Sequence, residues 1–160
     1  MDVDSVRRIF EPIIRRVLHL YWRFARGLTI GVRAVVLDAQ GRVFLVKHSY
    51  IAGWHLPGGG VEPGETLTVA LARELREEGN IELIDSPHFF AIYFNRRVSR
   101  RDHVALYVVR SFRQLAPPKP NREIVDHGFF AFDALPKDTS RATRERIVEA
   151  LNGRQPAELW

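Results

Sequence analysis

Leu56-Pro57-Gly58-Gly59-Gly60-Val61-Glu62-Pro63-Gly64-Glu65 runs straight into Thr66-Leu67-Thr68-Val69-Ala70-Leu71-Ala72-Arg73-Glu74-Leu75-Arg76-Glu77-Glu78-Gly79-Asn80-Ile81. The first piece holds four glycines and two prolines in ten residues, so it cannot be helical and must be a shaped loop. Its glycines let backbone approach a ligand closely. The second piece predicts a helix over 66–78, with Thr66 as N-cap and Gly79-Asn80 as the stop signal. On a helical wheel advancing about 100° per residue from Leu67, Ala70, Leu71 and Leu75 mark the face turned to a core. Glu74 and Glu78 fall inside that apolar stripe and Glu77 at its border. Carboxylates there are costly without partners, raise one another's pKa, and sit where the helix dipole disfavours negative charge. Arg73 reaches Glu77 at i,i+4, but one arginine does not balance three acids. Either the glutamates lean outward to water and to Arg73 and Arg76, or a hard divalent cation gathers them. Mg²⁺ suits the second case, because it takes oxygen ligands and binds phosphates.

Gly59, five residues, Glu65, seven residues, then Arg73-Glu74-Leu75-Arg76-Glu77-Glu78-Gly79-Asn80-Ile81 resembles the Nudix box, G-x5-E-x7-R-E-U-x-E-E-x-G-U with U a bulky aliphatic. Eight of the nine fixed positions match over 23 residues. The departure is Asn80 in place of glycine, with Gly79 one position early; asparagine tolerates a left-handed cap, and a small shift of the helix end is expected.

The resemblance implies an α/β (α+β) fold, an α/β/α sandwich with a mixed sheet over residues 28–152. An extra amphipathic helical extension would precede it (1–27) and a C-terminal tail follow it (153–160). It implies Mg²⁺-dependent hydrolysis of a pyrophosphate bond in a nucleoside diphosphate linked to another moiety X, or in a nucleoside triphosphate. Mn²⁺ is the alternative metal. Glu74, Glu77 and Glu78 would ligate two or three ions with a backbone carbonyl at Gly58 or Gly59. Glu65 and Arg73 would form the pair that fixes loop to helix. Glu123 would supply a fourth carboxylate, with Asp126 and Asp102 in reserve, and either Glu74 or Glu123 would take the proton from the attacking water. Two other readings stay open: a nucleotide-sensing module without catalysis, and a 5′-end RNA pyrophosphohydrolase. Markers for particular substrates are missing, so X is undetermined.

Outward from the motif, residues 30–37 and 42–47 predict strands joined by a hairpin turn at Asp38-Ala39-Gln40-Gly41. Strands are also expected near 88–95, 103–112 and 127–132, and a last helix near 140–151. Ile9, Phe10, Ile13, Ile14, Val17, Leu18, Tyr21 and Phe24 recur at helical spacing, which predicts an amphipathic helix over about 5–25. Its apolar face would pack on the domain or on a second subunit, or lie in a membrane surface. Residues 1–27 carry six arginines against three acids, and Arg96-Arg97-Val98-Ser99-Arg100-Arg101 adds four more, within a net charge of +5. These two basic features fit phosphates, RNA or anionic lipid, although a solvated helix face and a charged loop would look the same. Arg96 and Arg97, with His55 beside the glycine loop, are the candidate substrate contacts. Trp22, Tyr50, Trp54 and Tyr93 are candidates to stack on a base or simply to pack.

The 160 residues contain no cysteine, which excludes disulfides and thiolate chemistry, and no unbroken apolar run exceeds six residues. A cytoplasmic protein with a small-molecule nucleotide as partner is the resulting expectation. No G-K-[ST] follows the glycines, no H-x-x-x-H places two histidines on a metal, and no G-x-S-x-G accompanies the six histidines.

Overall fold

The computed structural model describes residues 27–119 and 122–160, together with Arg15, Arg16, Leu18 and Tyr21. Those four are helical and exposed; the rest of the expected 5–25 helix lies outside the described residues.

Alternating apolar residues build two three-stranded sheets. In the first, β1 (Thr29–Val36) pairs in parallel with β6 (Asp102–Val109), and β5 (His88–Phe94) closes antiparallel on β6. In the second, β2 (Val43–His48) runs antiparallel to both β3 (Trp54–His55) and β8 (Ile124–Phe130). A two-stranded ribbon joins β4 (Glu82–Leu83) to β7 (Phe112–Arg113). Among the residues from 27 on, two helices, α1 (Leu67–Gly79) and α2 (Arg141–Asn152), flank the sheets. One set of alternate positions, Val32, Ala34, Val36, Phe44, Val46, Ala105, Tyr107 and Val109, packs with Ala70, Leu71 and Leu75 of α1. The other set, Val35, Val43, Leu45, Tyr93, Leu106 and Val108, packs with Ile147 of α2. Because both faces are covered, the strands read as near-continuous apolar runs.

The turn at 38–41 exists: the Asp38 carboxylate accepts from the amides of Gln40 (3.0 Å) and Arg42 (2.8 Å), and Gly41 has φ 72°. It does not close a hairpin ladder. β1 and β2 separate into different sheets after one bridge, Leu37 with Val43, because the glycine loop takes that edge of β1 and β6 takes the other. The short strands β3, β4 and β7 and a 3₁₀ turn at Phe132–Ala134 carry no periodicity long enough to be read from sequence.

Residues 153–160 pack against the sheet. The Phe94 amide donates to the Glu158 carbonyl (2.8 Å) and the Trp160 amide to the Phe94 carbonyl (3.1 Å). Among the described residues no helix is long and apolar enough to cross a membrane.

Candidate functional site

The glycine loop is held along β1 as an irregular extra strand. Amides of Val32 and Ala34 donate to the carbonyls of Gly59 (2.8 Å) and Pro57 (3.0 Å), and the Val61 amide donates to Ile30 (3.0 Å). The Gly58 amide points the other way and donates to Oε2 of Glu78 at 2.7 Å. Gly58 has φ 135°, and a Cβ there would strike the β1 backbone, so only glycine fits. At Gly59 a Cβ would run into the carboxylate of Glu74. Glycine backbone of the loop therefore meets the carboxylates of Glu74 and Glu78 directly.

Thr66 caps α1 through its hydroxyl, which accepts from the Val69 amide (3.2 Å). At the other end Asn80 adopts the left-handed conformation (φ 50°, ψ 37°) and its side chain donates to the Ala116 carbonyl at 2.9 Å. The left-handed residue is thus the one standing where the box carries glycine, and the cap needs no displacement. Gly79 answers a different demand, since a Cβ there would crowd Ile81 and Phe44.

Loop and helix are locked by Arg73. Its guanidinium donates to both carboxylate oxygens of Glu65 (3.0 Å each), to Glu74 (2.6 Å) and to the Gly60 carbonyl (3.0 Å). These partners raise the Arg73 pKa, and in return Arg73 lowers that of Glu65. Glu77 lies 3.7 Å from the same guanidinium with its side chain 61% exposed, whereas that of Glu78 is 7% exposed.

Glu74, Glu78 and Glu123 line one cleft of about 1080 Å³, with Arg33, Tyr50, His55, Gly58 and Gly59. Glu77 does not line it. Burial pushes the Glu78 carboxyl up to about 7, and the charges of Glu74 and Glu123 push the same way, against the opposing pull of Arg33 and the Gly58 amide. His48 sits behind, its Nε2 3.5 Å from Glu78, and neither ring nitrogen makes a hydrogen bond. Burial, then Arg33 and His55, lower its pKa to about 4, so it is neutral at pH 7. The Tyr50 hydroxyl donates to Glu123 at 3.2 Å. His55 contacts the Ala52 carbonyl (2.9 Å), and burial lowers its pKa. Among the described residues no three acids or imidazoles are already gathered closely enough to hold a metal. The donor set is nonetheless all carboxylate and carbonyl oxygen, which suits a hard divalent cation.

Arg97 lines the cleft, but Arg96 faces a smaller neighbouring hollow, and Arg100 and Arg101 line neither. Of the reserve acids, Asp102 lines the cleft but accepts from Thr29 (2.7 Å) and Asn95 (2.8 Å), while Asp126 is exposed and accepts from the His127 amide. Trp54 and Tyr93 are core residues, Tyr50 lines the cleft, and Trp22 lies outside the described residues. Sequence reasoning missed Arg33 and His48. Arg33 interrupts the apolar run of β1, and that interruption was the available signal; His48 ends β2 after Lys47 and carried no such signal.

A NUDIX domain matches residues 27–151. The chain belongs to the Nudix family. Among solved structures, the MutT NUDIX hydrolase from Burkholderia pseudomallei is similar at 25% identity and a TM-score of 0.64, over 76% of this chain and 96% of that one. A NUDIX hydrolase from Nitrosomonas europaea shares the fold (TM-score 0.66, 19% identity, 81% of this chain and 92% of that one). The RNA pyrophosphohydrolase of Pseudoalteromonas translucida is 33% identical over 84 residues, 49% of each chain. The 8-oxo-dGDP phosphatase NUDT18 of Homo sapiens is 39% identical over 62 residues, 37% of this chain and 19% of that protein. The chain thus spans half or less of the length of these two curated relatives.

Proposed function

We propose that this Nudix domain hydrolyses a pyrophosphate bond in a nucleoside diphosphate derivative or a nucleoside triphosphate. The observation carrying this reading is the buried carboxylate of Glu78, beside Glu74 and facing a cleft that also holds Glu123, with Arg33 as the cation drawing on it. A structural role alone would leave such surplus negative charge unbalanced.

Glu74, Glu78 and the Gly58 carbonyl would hold a divalent cation, Mg²⁺ by the oxygen donor set, with Glu77 joining if it leaves Arg73. That cation, when bound, offsets phosphate charge and makes water more acidic. Arg33, fixed by its bond to the Leu56 carbonyl (2.9 Å), would bind a phosphate oxygen within the cleft. Glu123, oriented by Tyr50, would accept the proton of the attacking water. Glu65 and Arg73 would hold loop and helix in register and touch no substrate.

A panel of NDP-sugars, ADP-ribose, dinucleoside polyphosphates, oxidised dNTPs and 5′-triphosphorylated RNA, scored for phosphate and nucleotide products with Mg²⁺ and with EDTA, tests the reading. Turnover of at least one compound that EDTA abolishes is the expected result. No turnover on any of them with Mg²⁺ or Mn²⁺ refutes it and favours a sensing module.

A further inference from the structure

The cleft does not end at the carboxylates. It continues to Asn95, Arg97, Arg141, Ala142, Thr143 and Trp160, and its volume reaches the upper end of the roughly 300–1,000 Å³ common for small-molecule sites. Arg97, Arg141, Ala142 and Trp160 also line the adjoining hollow of about 280 Å³, so they form the wall between the two spaces.

Trp160 is rigidly placed. Its amide is tied to Phe94, and its ring meets the buried Tyr93 edge to face (5.5 Å, 77°). Beneath them Arg146, 2% exposed, stacks its guanidinium 4.5 Å over Tyr93 and 5.9 Å from the Trp160 ring. Arg146 also donates to the Leu159 carbonyl (2.7 Å) and to Glu149 (2.6 Å), and Glu149 accepts from the Tyr93 hydroxyl (2.8 Å). Trp160 is half-buried against the second core while its ring also lines the cleft, so this anchor presents it as a preorganised wall. Beside it stand two cations, Arg97 and Arg141. Arg141 is paired with Glu145 (2.7 Å) but 80% exposed, and so able to turn to an incoming anion.

We propose that Trp160, Arg97 and Arg141 form a specificity subsite for the group X, and that X is a second nucleoside phosphate rather than a neutral sugar. A tryptophan ring offers a stacking surface for a nucleobase, and guanidinium groups favour phosphate over hydroxyl. This rests on the hydrolase reading above. In a dinucleoside polyphosphate this second nucleoside phosphate is joined through the polyphosphate itself; in an RNA 5′ end the second nucleotide, joined through the 3′-phosphodiester, offers the subsite the same base and phosphate.

The test is kcat and KM of the full chain with Mg²⁺ on diadenosine tetraphosphate, the 5′-triphosphorylated dinucleotide pppApG and UDP-glucose. Wild type is compared with Trp160→Ala, Trp160→Phe and Arg141→Ala. The selectivity ratio of kcat/KM, nucleobase-bearing X over UDP-glucose, should fall about tenfold in Trp160→Ala, mainly through KM. Trp160→Phe, which retains an aromatic face and the packing on Tyr93, should restore most of it, and Arg141→Ala should lower it about threefold. A fall for diadenosine tetraphosphate alone identifies the dinucleoside source, and a fall for pppApG alone the RNA source. An unchanged ratio in both Trp160→Phe and Arg141→Ala together with an equal loss on all substrates in Trp160→Ala overturns the subsite. If nothing is hydrolysed, calorimetric binding of diadenosine tetraphosphate separates the two ideas. Binding weakened in Trp160→Ala keeps the subsite and discards the hydrolase; no binding discards both.

Discussion

The two helices each carry arginine and glutamate on a buried face, and they treat that charge differently. On α2, Arg146 pairs with Glu149, which receives the guanidinium, the Tyr93 hydroxyl and the Ala157 amide. On α1, Arg73 is shared among Glu65, Glu74 and Glu77, and Glu78 keeps a single amide donor with its carboxyl pushed up to about 7. Charge that is balanced inside the fold holds the fold together. Surplus charge beside a cleft is held ready for something that comes from outside.

The sharpest break of this contrast is Glu78→Gln, which keeps the shape and the Gly58 contact but removes the charge. Turnover of whichever panel substrate is cleaved should fall by two or more orders of magnitude, on the scale of losing a transition-state charge stabiliser. Glu77→Gln should lose less. On α2 the expected damage is to stability and not to chemistry. Glu149→Ala strands a buried guanidinium and should cost about 3–5 kcal/mol in urea unfolding, with kcat per folded molecule falling far less than in Glu78→Gln.

Acid titration sharpens the comparison further. Glu78 has a folded pKa raised from its ordinary value, so its contribution to stability is full below about pH 4.5 and lost as pH rises through about 7. His48 has a folded pKa lowered to about 4, so its contribution is full above about 6.5 and lost as pH falls toward 4. Between pH 4.5 and 6.5 the two oppose each other. In EDTA, Glu78→Gln should lose stability as pH falls through this window relative to wild type. His48→Phe should gain it, by at most roughly 2–3 kcal/mol in either case. Parallel curves for all three proteins would remove the coupling. The smallest effect belongs to Asn80→Gly: glycine relieves the left-handed backbone but gives up the bond to Ala116, and stability should move by less than about 1 kcal/mol.

The glycine loop, the extent of α1 and the inward placement of Glu74 and Glu78 were legible because each is local, set by spacing along one helix and by glycine beside it. The meeting of Glu65 with Arg73 followed from the family resemblance, and the structure brings them together at 3.0 Å. What could not be read was non-local. That β1 gives one edge to β6 and the other to the glycine loop, and not to β2, is a pairing between distant segments that no turn residue encodes. Arg33 lines the cleft, and His48 lies behind Glu78, because strands of two different sheets come together there. Residues 153–160 read only as a C-terminal tail because what anchors them is not local: Arg146 donates to the Leu159 carbonyl 13 positions on.

Gly59 carries a last consequence. An added methyl group would meet the movable end of Glu74 and not fixed backbone, so the chain can accommodate alanine there by swinging the acid aside. On the hydrolase reading proposed above, Gly59→Ala therefore separates turnover from folding, and offers a route to a well-formed but silent protein suited to capturing an unknown substrate intact, without altering any of the acids.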